Sequence, residues 1–132
     1  MQIIRGDDYQ SWVYSNESDL VVVDPWLTKK QVFPKFSWLL NRESTKKAYL
    51  LSNNLIEKVS HIIITAHFSD HLDAESLNMF SKSIPIYTTH EASKALLKLG
   101  FKNVYAVNQN KSYELNSFVL NVYEAGKPYN TT

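Results

Sequence analysis

The chain has 132 residues, 44% of them hydrophobic and 13% aromatic, so it is long enough to bury a core within one domain. Its net charge of +1 favours neither a nucleic-acid partner nor an anionic membrane, and the absence of cysteine excludes disulfides and thiolate metal sites. The first residues do not match a secretory signal, and the longest apolar runs are too short to span a membrane. These features predict a cytoplasmic protein with no membrane partner.

The N-terminal part of the chain predicts short β-strands. A turn at Gly6-Asp7-Asp8 separates the first two, and Pro25 ends the third because proline cannot donate to a strand ladder. The third strand gives the strongest signal, since it contains Leu20 and three consecutive valines. The predicted strands are at residues 2–5, 11–15 and 20–24.

Residues 31–55 are predicted as a loop with a short helical turn. Several apolar side chains occur here, but Pro34 interrupts any helix that they would form. A second short helix is predicted at residues 53–58.

From residue 61 onward, strands and helices alternate. Asp73 is a plausible N-cap for one helix, and Gly100 suits the position that follows the end of another. The predicted elements are a strand at 61–65, a helix at 73–81, a strand at 84–88, a helix at 90–99, a strand at 103–107, and a hairpin of 111–115 with 118–124. This order predicts an α/β fold, with a mixed sheet and helices packed on at least one face.

The predicted strand at 61–65 leads into a loop that carries two histidines and two aspartates. His67, Asp70 and His71 have the spacing i, i+3, i+4, so a turn-like loop would bring them together as three ligands of one metal ion. Catalytic zinc takes such nitrogen and oxygen ligands and leaves a position for water, and manganese or iron would also suit them. Asp70 could instead hydrogen-bond one imidazole and orient it. Asp24, at the end of the preceding strand, could join the network.

The same residues also have a simpler interpretation as solvated loop side chains and helix caps. His61 more simply starts a strand, and His90 more simply opens a helix beside the capping residues Thr88 and Thr89. The tryptophans and tyrosines are typical of core or rim packing.

Three segments together resemble the metallo-β-lactamase fold superfamily, most closely its UlaG-like branch. They are Val21-Val22-Val23-Asp24-Pro25-Trp26-Leu27, Ile62-Ile63-Ile64-Thr65 followed by Asp70-His71, and Ile84-Pro85-Ile86-Tyr87-Thr88-Thr89. The resemblance runs from about residue 1 to about residue 125. It implies that residues 1–132 form a single domain truncated at its C-terminal half, equivalent to half of an αββα sandwich.

The resemblance also implies a degenerate metal site. Asp70 and His71 match the end of the family motif Thr-His-x-His-x-Asp-His, but Ala66 and Phe68 stand where its first two histidines fall, and His67 is displaced by one position. The expected function is a metal-dependent hydrolase of an unknown small-molecule substrate. It would hold at most one ion, zinc for example, through Asp70, His71 and His67, with Asp70 also serving as the catalytic proton acceptor.

A non-enzymatic interpretation stays open beside the hydrolase. The chain would then be a catalytically inactive scaffold or protein-interaction module in which Phe68 plugs the former metal pocket. It would carry no metal, and a homo-oligomer would cover the exposed face of its sheet.

Overall fold

The structure, a computed structural model, describes residues 1–32 and 41–124. The helices in these residues are α1 (Tyr49–Ser52), α2 (Ala74–Leu77) and α3 (His90–Lys98), with a 3₁₀ turn at Ile56–Lys58. The strands are β1 (Gln2–Arg5), β2 (Trp12–Asn16), β3 (Asp19–Val23), β4 (Lys30–Val32), β5 (Asn41–Glu43), β6 (Val59–Ile64), β7 (Ile86–Thr88), β8 (Val104–Ala106), β9 (Lys111–Leu115) and β10 (Phe118–Val122).

A six-stranded mixed sheet with the order β1-β2-β3-β6-β7-β8 forms the centre of the fold. The first three strands pair antiparallel, whereas β3, β6, β7 and β8 run parallel. Parallel strands end at the same edge of a sheet, and here the loops after β3 and β6 therefore emerge side by side.

The helices cover one face of this sheet. Alternate residues of the central strands point into a shared core, for example Val22 of β3 and Ile62 and Ile64 of β6, all of them at most 1% exposed. Side chains from the three helices complete that core, namely Leu50 of α1, Leu77 of α2 and Leu96 of α3. Burial of these apolar side chains is the main stabilising contribution, at roughly 25 cal/mol per Å² removed from water.

The hairpin of β9 and β10 packs on the opposite face. The turn at Asn116 and Ser117 is held by Asp19, whose carboxylate accepts hydrogen bonds from Asn116 Nδ2 and Ser117 N, both at 3.0 Å. Leu115 is 1% exposed at the contact between hairpin and sheet. Because both faces of β3 are covered, its sequence is a continuous apolar run, as is typical of interior strands.

The predicted α/β class is confirmed, with a mixed sheet and helices on one face. Asp73 caps α2 through Ser76 N, and Gly100 follows α3 with a φ of 88°, as the sequence predicts. The described residues include no helix long and apolar enough to cross a bilayer.

Several predicted boundaries were wrong. The helix predicted at 73–81 is the four-residue α2, because 3₁₀-type hydrogen bonds from Met79 N to the Ser76 carbonyl and from Phe80 N to the Leu77 carbonyl follow it. The helix predicted at 53–58 is the 3₁₀ turn, and the strand predicted at 84–88 begins at Ile86. The predicted 31–55 loop contains α1 as its helical turn, but also β5, which pairs with β4. Pro34 lies outside the described residues.

Candidate functional site

The candidate site lies at the carboxyl ends of β3 and β6. Asp24 directly follows β3 and Thr65 directly follows β6, and the backbone N–H of Asp24 donates to the carbonyl of Ile63 at 2.9 Å. The two neighbouring parallel strands therefore place two polar residues next to each other, although they are 41 positions apart in the chain. The sequence-based expectation that Asp24 joins the network at this edge is confirmed.

Asp24 is the buried centre of the network, with 5% of its surface exposed. Its Oδ1 accepts a hydrogen bond from Thr65 N at 2.8 Å, and its Oδ2 accepts one from Thr65 Oγ1 at 2.5 Å. Its φ of 45° is left-handed, a conformation that aspartate tolerates better than most residues. A buried carboxylate is costly without hydrogen-bond partners, and these contacts offset that cost.

Asp24 also determines how the imidazole of His71 is presented. The Nδ1 atom of His71 lies 2.9 Å from Asp24 Oδ2 and 2.9 Å from Thr65 Oγ1. Because a carboxylate oxygen only accepts hydrogen bonds, Nδ1 carries a hydrogen, and in the neutral form of the ring Nε2 holds the lone pair. A hydrogen bond of this kind behind a histidine is typical of metal-binding imidazoles.

Asp70 lies on the other side of that ring. Its Oδ2 is 3.7 Å from His71 Nε2, which is too long for a hydrogen bond. In the neutral form of the ring, the lone pair of Nε2 and this carboxylate oxygen therefore face each other as two electron-pair donors. Donor atoms that share one zinc ion at about 2.1 Å each lie no more than about 4.2 Å apart, so this pair has a spacing that suits one cation.

Backbone hydrogen bonds shape the loop that carries Asp70 and His71. The carbonyl of Phe68 accepts from His71 N at 2.9 Å and from Leu72 N at 2.8 Å, which closes a tight turn. Gln10 Nε2 donates to the carbonyl of Asp70 and so ties this loop to the one between β1 and β2. Both functional side chains are about one-third exposed, which leaves them accessible to a ligand.

His67 does not share this arrangement. It is exposed, and its ring packs on that of Phe68 with the ring centroids 4.2 Å apart. No hydrogen bond or ion pair joins His67 to Asp70 or His71 within the part of the chain that the structure describes. Of the three ligands proposed from the sequence, two are therefore brought together and the third lies apart.

Phe68 is 60% exposed. The expectation that it plugs a former metal pocket is therefore wrong, because its side chain lies at the surface against His67.

The donor set fits a divalent ion only in part. Among residues 1–32 and 41–124, no group of three or more His, Asp or Glu side chains is arranged to hold a metal. Asp70 and His71 supply two donors, whereas a catalytic zinc usually takes three from protein. A complete site would need a further ligand in addition to these two.

The other two histidines belong to regular secondary structure: His61 lies in β6, and His90 begins α3. His61 is 8% exposed within the sheet, and burial lowers its pKa, although the nearby Asp19 opposes that effect. His90 opens α3, where Thr89 Oγ1 accepts from Ala92 N at 3.2 Å as the N-cap. The sequence-based assignment of His90 to a helix start is confirmed.

Thr65 and Gln10 are members of the site that the sequence reasoning missed. A threonine immediately after a buried β-branched run was an available signal for Thr65, because side chains in that position lie at the carboxyl edge of the sheet. Gln10 is 60 positions from Asp70, and no local pattern indicates that contact.

The chain has the metallo-β-lactamase fold over part of that fold's length. No protein-family model matches the chain. The curated UPF0173 protein YddR of Bacillus subtilis (strain 168) is 28% identical over 105 residues, which cover 76% of this chain and 41% of YddR.

Two solved structures show the same fold. A possible metal-dependent hydrolase from Veillonella parvula DSM 2008 superimposes with a TM-score of 0.63 at 22% identity, over 83% of this chain and 42% of that one. An isothiocyanate hydrolase from Delia radicum gut bacteria superimposes with a TM-score of 0.65 at 17% identity, over 87% and 44%. The chain thus spans less than half the length of each relative.

Proposed function

We propose that the chain carries part of the active site of a metal-dependent hydrolase, with Asp70 and His71 as ligands of one divalent ion. The observation that supports this most is the pair of lone-pair donors, His71 Nε2 and Asp70 Oδ2, which face each other at 3.7 Å. The buried hydrogen bond from His71 Nδ1 to Asp24 explains why the donor nitrogen is on that side. The hydrolase neighbours are consistent with this role.

In this proposal each residue of the site has its own role. Asp24 and Thr65 hold the imidazole of His71 in one tautomer and one orientation. Asp70, partly exposed at the same edge, accepts a proton from the attacking water. When bound, the ion would supply positive charge that polarises the ester, amide or phosphoester oxygen of the substrate. In this chain, water would fill the remaining coordination positions of the ion.

A second candidate is a scaffold without catalysis, and one observation favours it. The described residues supply two donors where three are usual, and Ala66 and Phe68 replace potential histidine ligands. The scaffold and the hydrolase differ in whether this chain retains a metal at all.

Metal content measured by elemental analysis separates the two candidates. Protein purified with added zinc or manganese is expected to retain one ion, and His71→Ala should lose it while remaining folded. His67→Ala is the matched control, because His67 is in the same loop but outside the network, and it should retain the ion. A wild-type chain that binds no metal supports the scaffold. Equal loss in both variants would return His67 to the ligand set.

A further inference from the structure

The loop between β1 and β2 reaches the candidate metal site from a distant part of the chain. The antiparallel pairing of Trp12 with Val23 places this loop at the edge of the sheet where Asp24 follows β3. Within the loop, the half-buried Gln10 donates a hydrogen bond from Nε2 to the backbone carbonyl of Asp70, 60 positions later. Gln10 therefore contacts the loop that follows β6, although it belongs to a different part of the sheet.

The carbonyl that Gln10 contacts belongs to the peptide group between Asp70 and His71. A peptide group is planar and includes the Cα atoms of both residues that it joins. The N–H of this same group donates to the carbonyl of Phe68 at 2.9 Å, so both of its polar ends are hydrogen-bonded. Its orientation constrains the directions in which the side chains of Asp70 and His71 leave the backbone.

Gln10 supplies the only one of these two hydrogen bonds that comes from outside the turn. The bond from His71 N to the Phe68 carbonyl forms together with the turn itself. Among residues 1–32 and 41–124, Gln10 is the only hydrogen-bond donor to the Asp70 carbonyl. Without it, that carbonyl would be free to turn toward water, and the peptide group would be held at one end.

The backbone around Gln10 is held in shape by Asp7. The Oδ1 atom of Asp7 accepts hydrogen bonds from Tyr9 N at 2.8 Å and from Ser11 N at 3.0 Å, the residues on either side of Gln10. Gly6 N also donates to the Ser11 carbonyl at 2.8 Å. The side chain of Gln10 therefore extends from a preformed loop.

A second carboxylate joins this loop to β5 and the residues that follow it. Asp8 accepts hydrogen bonds from Thr45 N at 3.0 Å, from Thr45 Oγ1 at 2.9 Å and from Ser44 Oγ at 3.1 Å. The hydrogen bonds from Thr45 lower the pKa of Asp8 to about 2, so it remains ionised at neutral pH. Arg42 donates to the Asp8 carbonyl at 2.9 Å. The loop that carries Gln10 thus has supports that do not depend on the metal site.

We propose that Gln10 is a positioning residue for Asp70 and His71. Its hydrogen bond holds the peptide group between them in the orientation that places Asp70 Oδ2 opposite His71 Nε2. This role rests on the proposed function, because it requires that the pair binds an ion. Gln10 acts through the backbone of Asp70 and is not itself a ligand. Residues that orient metal ligands are typically worth about 10-fold to 100-fold in metal affinity.

Gln10→Met tests this role, because methionine is similar in size but donates no hydrogen bond. In the metal-free protein, the order parameter of the His71 amide from ¹⁵N relaxation should fall from about 0.85 toward about 0.6. The dissociation constant of the folded protein for zinc, measured by competition with a chelator, should rise by about 10-fold to 100-fold. Gln109→Met is the matched control: it alters an exposed glutamine in the loop after β8 and should change neither value.

The order parameter of His71 decides the proposal even in the absence of metal binding. An unchanged value in Gln10→Met overturns it. A lower stability in urea with an unchanged zinc affinity also overturns it, because Gln10 would then have only a structural role. A wild-type chain that binds no zinc contradicts the proposed function, whereas a lower order parameter in Gln10→Met would still show that Gln10 positions the two residues. If Gln10→Met fails to fold, Gln10→Ala removes the same donor without adding bulk and replaces it in both measurements.

Discussion

Asp24 and His71 are 47 residues apart in the chain, yet His71 Nδ1 lies 2.9 Å from Asp24 Oδ2. In the neutral imidazole, this hydrogen bond directs the lone pair of Nε2 toward Asp70. The chemical character of the exposed site is therefore determined by a buried residue that a ligand would not contact.

Asp24→Asn tests this dependence. The amide can turn its NH2 group toward Nδ1 of His71, which moves the ring hydrogen to Nε2 and removes the donor lone pair. Any metal affinity should fall by roughly 10-fold to 100-fold, and ¹⁵N NMR should show the change of tautomer. Thr65→Val is the control: it loses a hydroxyl hydrogen bond, at a cost of about 1 kcal/mol, and retains the tautomer. An unchanged tautomer in Asp24→Asn would show that Asp24 does not determine it.

Phe68→Ser should leave stability almost unchanged. The ring is 60% exposed, and surface substitutions usually change the free energy of unfolding by less than about 0.5 kcal/mol. Phe80→Ala is the matched comparison, because Phe80 is 4% exposed in the core and its loss should cost about 3–5 kcal/mol. Urea denaturation measures both. A large loss in Phe68→Ser would mean that its ring is buried in solution.

His61 should make the folded state sensitive to mild acid. Burial lowers its pKa below the usual 6.5, so the folded protein binds this proton more weakly than the unfolded chain does. This difference in proton binding favours the folded state fully above about pH 6.5. Its contribution to the free energy of unfolding is lost as the pH falls through the pKa of His61 in the folded protein. His61→Gln should flatten this part of the pH profile of unfolding. An NMR titration that gives His61 a pKa above 6.5 would contradict the sign.

Gly6→Ala should destabilise the loop between β1 and β2. An added Cβ would overlap the hydroxyl of Ser11 and lie 3.1 Å from its carbonyl oxygen, so we expect a loss of roughly 1–3 kcal/mol. Ser11→Ala in the same chain should recover part of it. Gly100→Ala provides a contrast: nothing lies within 4 Å, but its φ of 88° disfavours a side chain by about 1–2 kcal/mol. Thermal unfolding of each variant measures these losses, and no recovery with Ser11→Ala would rule out the overlap.

The features that the sequence predicted are those encoded locally. Three valines before Asp24 and Pro25 indicate an interior strand, and Asp73 three residues before Ser76 indicates a cap. The short pairing of β4 with β5 was missed because distant contacts stabilise it. Arg42 of β5 donates to the carbonyl of Asp8 at 2.9 Å and lies over the ring of Tyr9.

The same distinction applies to the candidate site. The spacing of His67, Asp70 and His71 suggests three converging ligands, but the ring of His67 packs on Phe68 while Asp70 approaches His71. Spacing in a loop does not give side-chain direction, because hydrogen bonds to residues such as Gln10 determine the path of the backbone. The placement of Asp24 was predictable only through the pairing of β3 with β6.

The parallel pairing of β3 with β6 also has a kinetic consequence. The hairpin of β9 and β10 and the helix α3 involve near neighbours in sequence, whereas the contact of Asp24 with Thr65 closes a loop of 41 positions. Long loops form contacts more slowly than hairpins or helices do. The tautomer of His71 should therefore be established late in refolding, and its NMR signal would report when the centre of the sheet has formed.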